Sequence, residues 1–492
     1  MDKTCPFDAQ FGHAKPGLSR EIIKMNAPVV EADYLIVGSG AVGMAFADVL
    51  FHETPASIVI VDRHHGPGGH WNDAYPFVRL HQPSGYYGVN SRKLGGDSRD
   101  THRLNLGMCE RATAAELVSY YEQLMQQFLA SGRVRYFPMC NYTGDYQQKH
   151  TVESLTSGEV RNVTVHNKVV DTSYLNTAVP STHPPKYAVA PDVTCVPLNQ
   201  LPHVKRPPSG YVVVGAGKTS IDACLWLLDN AVAAKDICWI MPRDAWLQDR
   251  ANVQPGEDFF MQSYGSFATQ MEVMAQAESV ADLLEKLEAN GQLLRLDSSV
   301  MPSMYHGAVV SRAELDALRQ IKNIVRLGRV LRIEKDCIVL AQGSVPSDAD
   351  RLYVDCSASA VERRPIVPVF EGNKITPQMV RMFQPTFSGA FIAHVEATVT
   401  DETEKNALCA AIPMADKPEH WLSMFAVNMA NQHRWGRDKE LRAWIAQSRL
   451  DAFAAMARAV LPTDHEKLAL LQRYAQSAAP AAAKLQRLLA AA

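Results

Sequence analysis

The chain has 492 residues, 47% of them hydrophobic and 21% charged, which is room for two or three ordinary globular domains. A formal net charge of −3 gives no electrostatic reason to expect nucleic acid or an anionic membrane as a partner. No apolar run approaches the length of about eighteen residues that a membrane span needs, and the opening MDKTCPFDAQFGHAKPG has an acid and no apolar core, unlike a secretory signal. The nine cysteines are scattered singly with no C-x-x-C, which excludes a zinc ribbon or a thioredoxin-type pair and suits reduced thiols in the cytoplasm.

Residues 1–30 carry Pro and polar clusters and read as an irregular arm strapped over the surface. The apolar run 34–37 then meets Gly38-Ser39-Gly40-Ala41-Val42-Gly43, and a helical pattern continues through Leu50. A second strand, 57–61, ends on Asp62, nineteen residues after Gly43. Strand, G-x-G-x-x-G turn, helix, strand and acid in that order make a dinucleotide-binding unit. Gly38 makes the turn, Gly40 lets backbone approach a diphosphate, and Gly43 lets helix and strand pack closely. The diphosphate would sit on free N–H groups at the positive end of the helix, with Asp62 toward a ribose.

A second glycine turn, Gly66-Pro67-Gly68-Gly69-His70-Trp71, precedes a loop-like segment rich in aromatics, His, Pro and Gly, a plausible place for ligand contacts. Helical spacing over 112–129, with Thr113 as N-cap, leads to short β-like runs at 134–137, 159–165 and 168–170. Residues 172–208 are turn-rich and mark a boundary.

Immediately afterwards the opening pattern recurs. Four apolar residues lead into Gly215-Ala216-Gly217-Lys218-Thr219-Ser220, with Ser220 in the place of the third glycine, then a helix through Leu228 and a strand at 237–241. Gly-Lys-Thr-Ser is not a P-loop, because the required earlier glycine is Val212. This second strand ends in Pro242-Arg243 rather than an acid, which favours a 2′-phosphate and NADP over NAD; the alternative is a solvated loop arginine.

Residues 256–325 read as a helical insertion (280–294 and 311–321) around a Met- and aromatic-rich stretch whose side chains are mostly core. Strands are expected at 325–333, 338–341 and within 351–361, the last opening onto small residues. The segment 387–399 reads as a strand, with His394 and Glu396 on one face as a half-buried pair. The remainder is largely helical (421–431, 439–459), and the Ala-rich tail after Pro480 reads as a surface helix or frayed end.

Two nucleotide units in one chain resemble the two-dinucleotide-binding-domain flavoproteins, in which the first unit holds FAD and the second NAD(P)H. The spacing of Asp62, Gly68-Gly69 and Trp71, the element Asn90-Ser91-Arg92-Lys93, the G-x-G-x-S turn, and Arg243 with Trp246 make the likeness specific to class B flavoprotein monooxygenases, the flavin-containing monooxygenase type. Several features depart from that family. Asp62 replaces the usual Glu, and Val170-Asp171-Thr172-Ser173 and Cys356-Ser357-Ala358 stand where Ala-Thr-Gly is usual. The Baeyer–Villiger sequence and the halogenase Trp motif are absent, so a divergent member is indicated and a ketone substrate is not implied.

The resemblance implies an α/β fold of two Rossmann-like dinucleotide-binding domains, the second inserted in the first. Residues 1–172 and 351–492 would form the FAD-binding domain with C-terminal helices, and 173–350 the NADPH-binding domain. FAD would touch Gly38, Gly40, Ala41, Val42, Gly43, Asp62, Arg63, Gly69, His70 and Trp71. NADPH would touch Gly215, Gly217, Lys218, Thr219, Ser220, Arg243 and Trp246. The family's reaction reduces FAD with NADPH and traps O₂ as a flavin C4a-(hydro)peroxide, used on a small molecule's heteroatom or electron-rich ring. Asn90 is a candidate neutral donor at the flavin, or else fixes a turn before Ser91; Arg79 and His81 could approach nicotinamide or substrate, or be an ion-paired loop Arg and a surface His. An oxidase or dehydrogenase without oxygen insertion, and a non-enzymatic redox-responsive flavoprotein, stay open. The expected partners are a small-molecule substrate and O₂, with no metal, nucleic acid or membrane, and a homodimer stays open.

Overall fold

The computed structural model describes residues 29–175, 177–358 and 364–491. The irregular arm expected over 1–30 falls, but for its last two residues, outside them. Strand Val29–Val37 sits inside an 8-stranded sheet, flanked by Ile58–Val61 on one side and Val160–Asp171 on the other, all parallel. Val134–Phe137 extends the sheet beyond Ile58–Val61, and Lys374–Ile375 returns to it beside Val160–Asp171. The runs 159–165 and 168–170 are one strand, with a register shift against Ala32 and Tyr34. Helix Ala41–Glu53 follows the first glycine turn; helix Ala114–Ala130 starts at the expected Thr113 cap, closed by a capping box with Glu116.

The second sheet repeats the plan. Tyr211–Val214 lies between Ile237–Ile240 and Leu352–Asp355, all parallel, and helix Lys218–Asp229 follows its glycine turn. Because Leu352–Asp355 pairs in this sheet, the chain returns to the first sheet only afterwards, at Phe370–Glu371 and Lys374–Ile375. The expected strand 325–333 divides: Ile324–Val325 joins the second sheet and Val330–Ile333 a separate 4-stranded one. Gly328, at φ +77°, turns the chain between them.

Three expectations give way in the second half. Segment 387–399 is helical, as Pro385–Thr398, not a strand. Every residue from 386 to 395 is buried, so no polar face marks the helical period, and its β-branched and aromatic content imitates a strand. At Gly389 this helix presses on helix Ala41–Glu53, where a Cβ would lie 2.7 Å from the Val42 carbonyl oxygen. His394 and Glu396 consequently separate: His394 Nδ1 pairs with Glu53 at 2.6 Å, while Glu396 takes the Tyr34 hydroxyl at 2.9 Å and Lys405.

The helix expected over 280–294 ends at Ala289, and Leu293–Leu294 instead edges a 3-stranded sheet with Ala245–Asp249 and Met304–Val310. The expected helix 439–459 is broken into Lys439–Gln447 and Ala452–Arg458. The tail is a surface helix with one buried face and not a frayed end. It is the end of helix His465–Ala491, which packs along Phe260–Gln276 and buries Ala481, Leu485 and Leu488. Among the described residues no helix is long and apolar enough to cross a membrane.

Candidate functional site

Parallel pairing aligns Val37 with Val61 and Val214 with Ile240, so each glycine turn leaves its sheet beside the end of the next strand. In the first turn Gly38 takes φ +102°, and a Cβ on Gly43 would stand 2.1 Å from the Gly38 carbonyl oxygen. Helix and strand therefore need glycine at both positions. Gly40 is different: its φ is −73°, and a Cβ there would meet only the Gly69 Cα, at 3.6 Å. Gly217 likewise has φ −99°, and a Cβ there would find nothing within 4 Å. Nothing in the described protein demands glycine at these two positions; each leaves open space beside a helix start.

Neither helix start is capped by a side chain. The first-turn amides of Ala41, Val42 and Gly43, and of Lys218, Thr219 and Ser220, have no intrahelical acceptor and form the positive end of the helix dipole. That combination fits a diphosphate at each. Ser220 does the work of the third glycine by turning inward: it is fully buried and its hydroxyl donates to the Gly217 carbonyl at 2.7 Å.

Asp62 stands at the expected place but is fully engaged. Its Oδ2 accepts the Ser39 N–H at 2.5 Å and the Ser39 hydroxyl at 2.9 Å, and its Oδ1 accepts the His64 N–H and sits 2.8 Å from His64 Nδ1. Burial raises the Asp62 carboxyl, but the bonds from His64 and Ser39 outweigh this and hold its pKa below the usual value. The Asp62 bond conversely raises His64, which also reaches Asp73 at 2.8 Å. A ribose hydroxyl would have to replace one of these donors. Arg63 is exposed.

One cavity of about 870 Å³ opens at the second turn and comes near the first only through the loop packed on it, since no residue from Gly38 to Gly43 lines it. His70 and Trp71, from the loop beside the first turn, line it together with Lys218 and Thr219 at the second. Gly69 ties this loop to the first turn, its Cα facing Gly40. Trp71 donates from its indole to the Tyr87 hydroxyl at 3.1 Å, and burial lowers the neighbouring His70 to a pKa of about 4. Lys218 pairs with Asp222 one turn along its own helix, and the Tyr75 hydroxyl donates to the same carboxylate at 2.5 Å. Burial lowers Lys218, with Asp222 opposing. The far end of the cavity is walled by Phe267, Met271, Tyr305, Trp421 and Phe425, so part of the Met- and aromatic-rich insertion does face it.

Arg79 and His81 line this cavity as well. Arg79 is exposed and donates to the Arg111 carbonyl at 3.1 Å. His81 is held neutral, well below the usual histidine pKa, first by burial and then by Lys218, Arg250 and Arg111. Its Nδ1 accepts the Val309 N–H at 3.4 Å, leaving a proton on Nε2. Beneath it lies a charged cluster that the sequence did not single out. Arg250, 1% exposed, donates to the His81 carbonyl at 2.8 Å and to Glu314 at 2.6 Å, and Arg111 lies 3.5 Å from the other Glu314 oxygen. Burial pushes Glu314 up, but the two arginines pull it down to about 2. Only the Ser-x-x-Glu capping box at Ser311 signals this residue in the sequence.

Asn90 is not brought to the cavity. Its Oδ1 accepts the Ser448 hydroxyl at 2.9 Å, and the next residue, Ser91, anchors to the buried Asp48 of helix Ala41–Glu53. The element 90–93 thus ties a loop to the first helix. Trp246 is also not at a ligand surface: it is wholly buried with Met271, Met274 and Leu283, and Arg295 lies over its ring at 5.8 Å. Arg243 follows the second strand as expected, but its guanidinium is held by both oxygens of Asp416, at 2.7 and 3.1 Å.

A profile described as an NAD(P)-binding Rossmann-like domain matches residues 36–82. The chain is 48% identical over 429 residues to the uncharacterized protein Rv2000 of Mycobacterium tuberculosis, covering 87% of this chain and 79% of that one. Among solved structures, a closed form of cyclohexanone monooxygenase is 13% identical, with a TM-score of 0.47 over 88% of this chain and 97% of that one. A flavin-containing monooxygenase from Stenotrophomonas maltophilia is 12% identical, with a TM-score of 0.44 over 77% of this chain and 100% of that one.

Proposed function

This chain belongs to the family of the mycobacterial protein Rv2000, whose name carries no activity, and from its site geometry we propose that it is an FAD- and NADPH-dependent monooxygenase acting on a small molecule. One observation carries the reading: two uncapped helix starts each follow a glycine that no neighbouring protein atom requires, and the loop packed on the first lines the same cavity as the second. Diphosphates bound at the two helix starts would let both rings extend toward that cavity. Bound FAD would supply hydride acceptance from the nicotinamide and electron transfer to O₂.

The chain's own residues do the rest. The amides of Ala41, Val42 and Gly43 hold the FAD diphosphate, and those of Lys218, Thr219 and Ser220 hold the NADPH diphosphate. Arg243 stands at the strand end where a 2′-phosphate would lie, with its guanidinium already engaged by Asp416. His81 offers an Nε2–H donor without carrying charge, so it orients a polar group without releasing a proton. The apolar wall of Phe267, Met271, Trp421 and Phe425 keeps the chamber poor in water.

A second reading, an NAD(P)H oxidase without oxygen insertion, is favoured by the position of Asn90, since the neutral amide assigned to the oxygen-reacting face lies outside the cavity. The two separate on product. Hydrogen peroxide is measured per NADPH oxidised while a panel of apolar amines, thioethers and phenols is screened. A substrate that lowers the peroxide yield and appears as its oxygenated product supports the monooxygenase; stoichiometric peroxide with every compound supports the oxidase.

A further inference from the structure

The second nucleotide unit carries its own anion. Asp416 comes from the segment leading into helix Pro418–Arg437 and is 5% exposed. Its carboxylate fills the fork of Arg243 from both oxygens, and Oδ1 also lies 3.0 Å from His306 Nε2. Its carbonyl accepts the Tyr305 N–H at 2.8 Å, fixing the residue against strand Met304–Val310. Arg243 lies three residues beyond Ile240, whose carbonyl accepts the Gly215 N–H of the glycine turn at 3.0 Å. It therefore occupies the edge where an adenosine ribose meets the second strand of such a unit.

A guanidinium fork binds a phosphate and a carboxylate with the same two parallel bonds, so the two compete. A carboxylate at this edge is also the group that accepts a free ribose 2′-hydroxyl. We propose that Asp416 is a specificity-determining residue that neutralises Arg243 and narrows the chain's preference for NADPH over NADH. The inference rests on the second turn being a nicotinamide-dinucleotide site. A 2′-phosphate must displace Asp416 from Arg243, whereas a 2′-hydroxyl can bind with the pair intact.

The test uses the full-length protein and two probes, 2′,5′-ADP and ADP, with affinities measured by calorimetry. Asp416→Asn, or Asp416→Ser should the first variant not fold, tightens 2′,5′-ADP by about tenfold and changes ADP by less than about threefold, the scale of one charge pair released. Arg243→Ala weakens 2′,5′-ADP binding little in the wild-type background and by about tenfold in Asp416→Asn, since only there is the fork free. Equal effects on both probes, or no effect on either, overturn the proposal while leaving the dinucleotide site standing. Failure of every folded variant to bind either probe overturns the site and the proposal with it.

Discussion

Asp62 and Ser39 are locked together across the first glycine turn, the Asp62 carboxylate taking both the N–H and the hydroxyl of Ser39. The acid that ends the second strand is thereby a brace for the phosphate-binding turn. An amide in its place turns a donor toward Ser39 or His64, where only an acceptor fits. Asp62→Asn is expected to cost roughly 1–3 kcal/mol, with loss of retained FAD. Urea unfolding and the flavin content of the purified variant check it; wild-type values for both would show that the brace is dispensable.

The glycines separate structural from ligand demands. Gly43→Ala would push a methyl to 2.1 Å from a backbone oxygen and is expected to destabilise by about 1–3 kcal/mol or more. Gly217→Ala meets no protein atom within 4 Å, so its stability should stay within about 0.5 kcal/mol while affinity for ADP falls. Thermal melting with and without nucleotide distinguishes them. A Gly217→Ala variant that melts early would mean that the protein, not a ligand, needs the glycine.

Both glycine turns were legible in the sequence because their requirements are local: a positive φ at Gly38, a close contact at Gly43, strands on either side. Burial on all sides hid helix Pro385–Thr398, since periodicity needs a wet face to be seen. The Ala-rich tail reads correctly as a surface helix, but its buried face is not legible, as Ala481 packs against a helix some two hundred residues earlier in the chain. Arg243 could be placed at its strand end but not paired, because its partner is 173 residues away. Trp246 sits at a suggestive spacing, yet which way a side chain faces depends on strands that the spacing does not encode.

The cluster under His81 is held by one carboxylate between two arginines. Removing that charge leaves Arg250 and Arg111 buried without the carboxylate they share. Glu314→Gln should therefore cost about 3–5 kcal/mol, read as a shift in the urea midpoint at unchanged slope. A loss below about 1 kcal/mol would mean that water or another acid compensates.

Acid sensitivity follows from the two depressed histidines. His70, at about 4, and His81 bind protons in the unfolded chain near the usual value of 6.5 but resist them when folded. Their stabilisation is thus complete above 6.5 and declines as pH falls toward 4. His64, raised by Asp62, acts in the opposite sense, its contribution being present below 6.5 and lost as pH rises through its folded value. His81→Asn, which keeps an acceptor for the Val309 N–H, should flatten the fall in stability as pH drops below 6.5. Identical slopes for variant and wild type would show that His81 is not held neutral.

Dinucleotides held at the two glycine turns would pass electrons from the nicotinamide to the flavin. The chain is saturated with FAD, mixed with NADPH in the absence of oxygen, and the flavin's visible absorbance followed. Bleaching of the bound flavin, with NADPH consumed in equal amount, is the predicted result. A flavin that stays oxidised although both nucleotides are bound, or a chain that binds no flavin at all, would contradict the account.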